Sequence, residues 1–267
     1  MKNQITLLIF FFAMFTSNVA SYAQNNDANL AKLTINFYNV VGDKPLKLKD
    51  QSYINEVGEK FNITSFNYFI SNIKLHKKNG EEYIIPQDSS YFLIKENDPA
   101  SKQINLNIPQ GKYTAITFTI GVDSLRSTMD ISHRTGALDI SGGMTEGMYW
   151  TWNSGYIFMK FEGDCEQAPI DRTGQRKFRY HIGGFGGYNK PSINNIRTVT
   201  IDLSQKGLVK AKKNNNSRVL IEANALLVFN GRTKVSIAKN AAVMFGDFSK
   251  QISENYMQMF SHISTKN

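Results

Sequence analysis

YTAITFTIGV, residues 113–122, sets apolar Ile116, Phe118, Ile120 and Val122 against Thr117, Thr119 and Gly121 between them. An alternation of period two, rich in β-branched and aromatic residues, is the pattern of a strand with one face on a core. The same period recurs on either side. Residues 33–38 (LTINFY) and 104–108 (INLNI) keep it cleanly, 199–203 (VTIDL) continue it, and 69–76 (FISNIKLH) hold it less strictly. Turn signals separate these runs: Asn79-Gly80, Pro109-Gln110-Gly111 and the polar stretch 214–217. The segment 77–82 reads as a hairpin tip with 83–85 as its returning strand. The nearly continuous apolar run 219–229 fits a strand or a helix, and 249–261 predicts one short C-terminal helix. Residues 123–147 lack a regular pattern, and so long a loop inside a compact domain is usually functional. With no internal repeat and no linker, the expectation is an all-β, single-domain antiparallel β-sandwich over residues 24–267.

Residues 1–23 predict a destination. Lys2 precedes an apolar core at 5–15, and Ser21-Tyr22-Ala23 offers the small residues read by a signal peptidase. That core is too short to span a bilayer. A cleavable signal peptide ending at Ala23, and a periplasmic or secreted mature protein, are expected. The net charge of +9 is scattered among lysine groups at 44–49, 74–78 and 210–213. Such groups read as solvated loop charges, and no nucleic-acid motif accompanies them. The single cysteine, Cys165, excludes an intramolecular disulfide. It stands among Glu162, Asp164 and Glu166, whose charges disfavour a thiolate.

Both tryptophans lie in MYWTWNSGY, residues 148–156. On a continuous strand Trp150 and Trp152 would point to the same face, together with Met148. An aromatic core layer accounts for that arrangement, and so does a metal or redox site. The four histidines are His76, His133, His181 and His262, and none has H-x-H or H-x-x-x-H spacing. Any metal site must therefore be assembled from distant segments. Imidazoles and thioethers suit copper, particularly Cu(I), although methionines such as Met144, Met148, Met257 and Met259 more often fill cores.

The string GMYWTWNSGYIFMKFEG at 147–163 resembles the hallmark of the MbnP-like family, and FRYHIG at 178–183 resembles its second motif. FISNIKL at 69–75, GVDS at 121–124 and NYMQMF at 255–260 follow in the family's order, so the resemblance covers roughly residues 30–263. It implies an exported copper-binding protein that is not an enzyme. It also implies a tryptophan oxidised to kynurenine by a dihaem peroxidase-like partner resembling MauG, with the kynurenine nitrogen and imidazoles binding Cu(I). Carried over, Trp150 or Trp152 is the modified residue and His181 the best-matched ligand. His133 and Met148 are further metal candidates, and His76 is a third imidazole. No histidine stands two residues from either tryptophan, an arrangement expected of kynurenine-ligated copper sites.

Two other classes were weighed. The 12 tyrosines and scattered lysines fit a non-catalytic envelope module for a glycan or protein ligand. A hydrolase has little support, since Asp123, Asp130, Asp139 and Glu146 mark no pair and no nucleophile or phosphate motif is present. The Gly183–Gly187 run precedes no helix start and reads as a flexible turn.

Overall fold

A computed structural model describes residues 29–140, 147–153 and 155–267. The expected leader and residues 141–146 of the long segment lie outside the described residues. The alternating stretches form strands. Leu30–Val41 is the centre of a five-stranded sheet, flanked by Gln103–Pro109 and Asn216–Asn224, with Phe260–Lys266 beyond the latter. A ten-stranded sheet runs Arg197–Asp202, Gly111–Ile120, Ser65–Lys77, Gly155–Asp164, Lys177–Gly183, Ala242–Val243, with short strands attached at its sides.

The all-β expectation holds, but the sheets are mixed and not purely antiparallel. Leu30–Val41 pairs parallel with Asn216–Asn224, placing Ile35 beside Val219 and Phe37 beside Ile221. Lys177–Gly183 pairs parallel with Ala242–Val243. Period two says which face a side chain takes and is silent on the direction of a neighbouring strand. Both parallel partners arrive from far along the chain, where no hairpin dictates direction.

The two sheets meet through aromatic edges. Phe37 of the small sheet packs against Tyr68 at 6.1 Å and Phe118 at 6.0 Å of the large one, and Phe260 closes on Phe118 at 5.1 Å. Farther along, Phe229 sits amid Phe61, Phe161, Phe178 and Tyr180, each between 5.0 and 5.6 Å away. Each such ring removes enough apolar surface to contribute about 1.5–3 kcal/mol.

The ambiguous apolar run divides. Its first part is the Asn216–Asn224 strand, and Leu227–Asn230 then turns as a short helix. The C-terminal helix is real but ends early, at Phe248–Tyr256, and Phe260 onward is strand. Burial of Phe260 between Phe37 and Phe118 takes that segment into the sheet. The hairpin tip is as expected: Gly80 has φ +91° and the Lys77 N–H reaches the Glu81 carbonyl. No helix among the described residues is long and apolar enough to cross a membrane.

One buried carboxylate staples an irregular segment to the fold. Glu59 accepts hydrogen bonds from the Asn55 side chain (2.7 Å), the Ser236 hydroxyl (2.7 Å) and the N–H groups of Ile237 (2.6 Å) and Ala238 (2.9 Å). Burial alone would raise its pKa. The four donors outweigh that and hold the carboxyl below its ordinary 4.5. A depressed folded-state value stabilises the fold fully above pH 4.5, and the contribution fades as pH falls through the folded value. Glu59→Gln is expected to lose about 2 kcal/mol at neutral pH, the scale of charge-assisted hydrogen bonds. Urea unfolding at pH 7 and at pH 3 checks this: the difference between variant and parent should shrink in acid.

Candidate functional site at the tryptophan turn

The large sheet carries apolar side chains on both faces at one end. Phe66, Tyr68 and Ile70 point into the main core, while Phe69 between them points to the back. There it joins Val122, Leu138, Met148, Trp150, Tyr156, Ile157 and Phe158 in a second, smaller core. A bulge in the Gly155–Asp164 strand near Ile157 and Met159 lies beside this cluster. The tryptophan layer therefore lies behind the large sheet, not between the sheets.

MYWTWNSGY is not one strand. Tyr149–Trp150 is a two-residue strand that pairs Tyr149 with Tyr156 and Trp150 with Gly155, so residues 151–153 are a turn. The expectation of both indoles on one strand face is thereby corrected. Trp150 is buried at 5% exposure, whereas Trp152 is carried round the turn to 65%. The rings still touch, with centroids 5.5 Å apart and planes tilted by 44°. The Trp150 N–H is buried and has no hydrogen-bond acceptor among the described residues. Leaving such a donor unmade costs about 1–3 kcal/mol, so the ring is held by packing alone.

That packing depends on Gly183. A Cβ there would stand 2.8 Å from the Trp150 ring and 2.3 Å from the Tyr156 carbonyl oxygen. His181 lies two residues earlier on the same strand and shares its face with Gly183, about 7 Å away along the strand. The Gly183 on which the buried indole packs and His181 therefore lie on one face of that strand. His181 Nε2 is hydrogen-bonded to Glu162 Oε1 at 2.6 Å, and Lys160 Nζ approaches the other carboxylate oxygen at 4.0 Å. Burial acts to raise the Glu162 pKa, but His181, Lys160 and Arg179 bring it below its ordinary value. A carboxylate on one ring nitrogen fixes the imidazole and leaves Nδ1 as the free donor, as in many metal-ligating histidines.

The other candidates are placed elsewhere. Met148 is fully buried in the rear core. His133 is exposed and lines a separate cleft with Asp88, Tyr91 and Arg126. His76 bonds Thr117 at 2.7 Å and faces Glu82 at 3.2 Å, and His262 is buried against Thr265. Among the described residues no three His, Cys, Asp or Glu side chains converge as a metal cluster. Burial pushes the Cys165 thiol up, with Glu59 and Glu166 adding to it.

A family model, MbnP, matches residues 30–245, most of the chain and both motif segments. The chain belongs to the MbnP family. MbnP from Methylosinus trichosporium has a similar fold, with a TM-score of 0.51 over 75% of this chain and 77% of that one at 16% identity. No curated protein matches.

In this MbnP-family chain residues 123–140 of the long segment cover the rear core. Asp123 caps the Ser124–Thr128 helix and accepts from Tyr91 and from Asn72. Arg134 is buried and makes no salt bridge among the described residues. Its guanidinium donates to the carbonyls of Ser127 (3.0 Å) and Met129 (2.8 Å) and to the Tyr149 hydroxyl (3.3 Å), and it lies over the Tyr156 ring. Tyr156 donates to the Leu138 carbonyl at 2.8 Å. Burial pushes the Tyr156 hydroxyl up to about 12, against the pull of Arg134. Sequence reasoning assigned no role to Arg134, which has no motif of its own, or to Glu162, which lies within the 147–163 string but meets His181 only through strand register.

Two tryptophan variants should separate the indoles. Trp150→Ala is expected to cost about 3–5 kcal/mol, and Trp152→Ala about 0.5 kcal/mol or less, both by chemical denaturation. Gly183→Ala should cost about 3 kcal/mol through overpacking and shift tryptophan emission to the red, since the carbonyl it meets cannot move aside.

Proposed function

We propose that the protein is an exported copper-binding member of the MbnP family, acting in metal acquisition, storage or handover, and is not itself an enzyme. Membership in the family supports a methanobactin-associated, copper-related role. The observation that carries the reading to particular residues is His181 on the strand face where Trp150 packs on Gly183, with Glu162 orienting the imidazole. A dihaem peroxidase-like partner would oxidise one tryptophan to kynurenine. Kynurenine supplies an aromatic amine nitrogen as a soft-metal donor. Trp152 is open to a partner and Trp150 touches it, so the pair presents one buried and one accessible indole.

The residues present fit a low-coordinate Cu(I) site in part. His181 offers Nδ1, Glu162 holds the ring in place, and the rear core excludes water from one side. Met148 contributes its sulfur only if it leaves the core, and His133 stands in another cleft. The experiment is a Cu(I) titration against a competing chelator, using protein purified from periplasm, with His181→Ala and His133→Ala beside the parent. Loss of high-affinity binding in His181→Ala and retention in His133→Ala is expected. Equal affinity in parent and His181→Ala would refute the site. Intact mass of the same sample should show one oxygen gained and one carbon lost when the dihaem partner is co-produced.

A further inference from the structure

Beside the tryptophan turn the glycine run Gly183–Gly187 opens a cleft of about 170 Å3, walled by the rings of Trp150, Phe185, Tyr188 and Phe245. Its walls are set before any ligand arrives. The Gly186 N–H bonds the Ile193 carbonyl at 3.0 Å and the Asn195 N–H bonds that of Gly184 at 2.8 Å. The buried Asn195 side chain then ties the Gly183 carbonyl to Ser249 on the C-terminal helix, and Tyr256 donates to the Asn195 carbonyl. Gly184 and Gly187 have φ of +111° and +102°, and a Cβ at Gly187 would stand 2.1 Å from the Lys190 carbonyl oxygen. Side chains lock as well: Phe185 meets Tyr188 edge-on at 4.9 Å, and Trp150 meets Phe245 at 6.1 Å and 84°.

The charge of this lining is one-sided. Among the described residues Lys190 is the charged residue of the wall, and none of the lining side chains is a carboxylate. Lys190 is exposed and makes no ion pair among the described residues, so its ammonium is free to turn over the opening. Aromatic walls alone would suit a quaternary ammonium, but a lysine without a balancing acid disfavours a cation. The space is below the ~300–1,000 Å3 of sites for drug-sized ligands, which restricts the occupant to one ring with a small substituent. We propose that this cleft binds a single-ring aromatic carboxylate, its ring held among the four aromatic walls and its carboxylate turned to Lys190.

This site does not depend on the copper reading, and its test is made without metal. Protein from a host lacking the dihaem partner, with unmodified tryptophans and in a chelating buffer, is titrated with benzoate, benzyl alcohol and benzyltrimethylammonium, following tryptophan fluorescence and ligand-observed NMR. Benzoate is expected to bind saturably and more tightly than either analogue. Phe245→Ala should weaken benzoate about tenfold through the lost ring contact. Lys190→Gln, a surface change that leaves the fold intact, should weaken it about threefold and remove the preference over benzyl alcohol. Absence of saturable benzoate binding, tighter binding of the ammonium, or unchanged benzoate affinity in Lys190→Gln would each overturn the proposal, whatever copper does.

Discussion

The contact between the Trp150 ring and the bare backbone at Gly183 is the constraint on which this end of the molecule depends. Only a residue without Cβ lets an indole sit so close to a central strand. Once seated, Trp150 brings its turn against the back of the large sheet, places Trp152 outside, and forms one wall of the aromatic cleft. Its N–H receives no acceptor among the described residues in exchange. A buried donor left unsatisfied is destabilising, so apolar packing by Met148, Tyr156 and Phe158 must offset it.

Two cores therefore share one sheet. The main core joins the sheets through Phe37, Tyr68, Phe118 and Phe260. The rear core exists to carry the tryptophan turn and the cover after Val122. Arg134 explains how that cover is kept in place: a guanidinium has five donors, and here carbonyls and tyrosines take them instead of an acid.

Chemistry at this site follows from neighbours more than from the candidate ligands themselves. His181 is one of four histidines, and what distinguishes it is Glu162 on the next strand at 2.6 Å. His76 has a carboxylate and a threonine too, yet no indole is near it among its partners. An oriented imidazole beside an aromatic pair is what the copper reading uses. The cleft walled by Phe185, Tyr188 and Phe245 lies on the other side of Trp150 and serves a different chemistry.

The sequence by itself determined the all-β class, because side-chain alternation in stretches such as 113–122 is a local property of an extended backbone. It also determined the family, since 147–163 and 178–183 are contiguous strings, and it marked the short C-terminal helix. Strand direction, the separation of the two tryptophans and the packing of Trp150 on Gly183 were decided only by tertiary structure. Parallel pairing of 30–41 with 216–224 links residues with most of the chain between them, and no local pattern encodes it. Trp150 and Trp152 part because the chain must reverse within the four residues that separate Trp150 from its partner Gly155, a demand set by where the next strand docks. Trp150 reaches Gly183 and His181 reaches Glu162 through strand register, a geometry in which each residue's role depends on side chains remote from it in sequence.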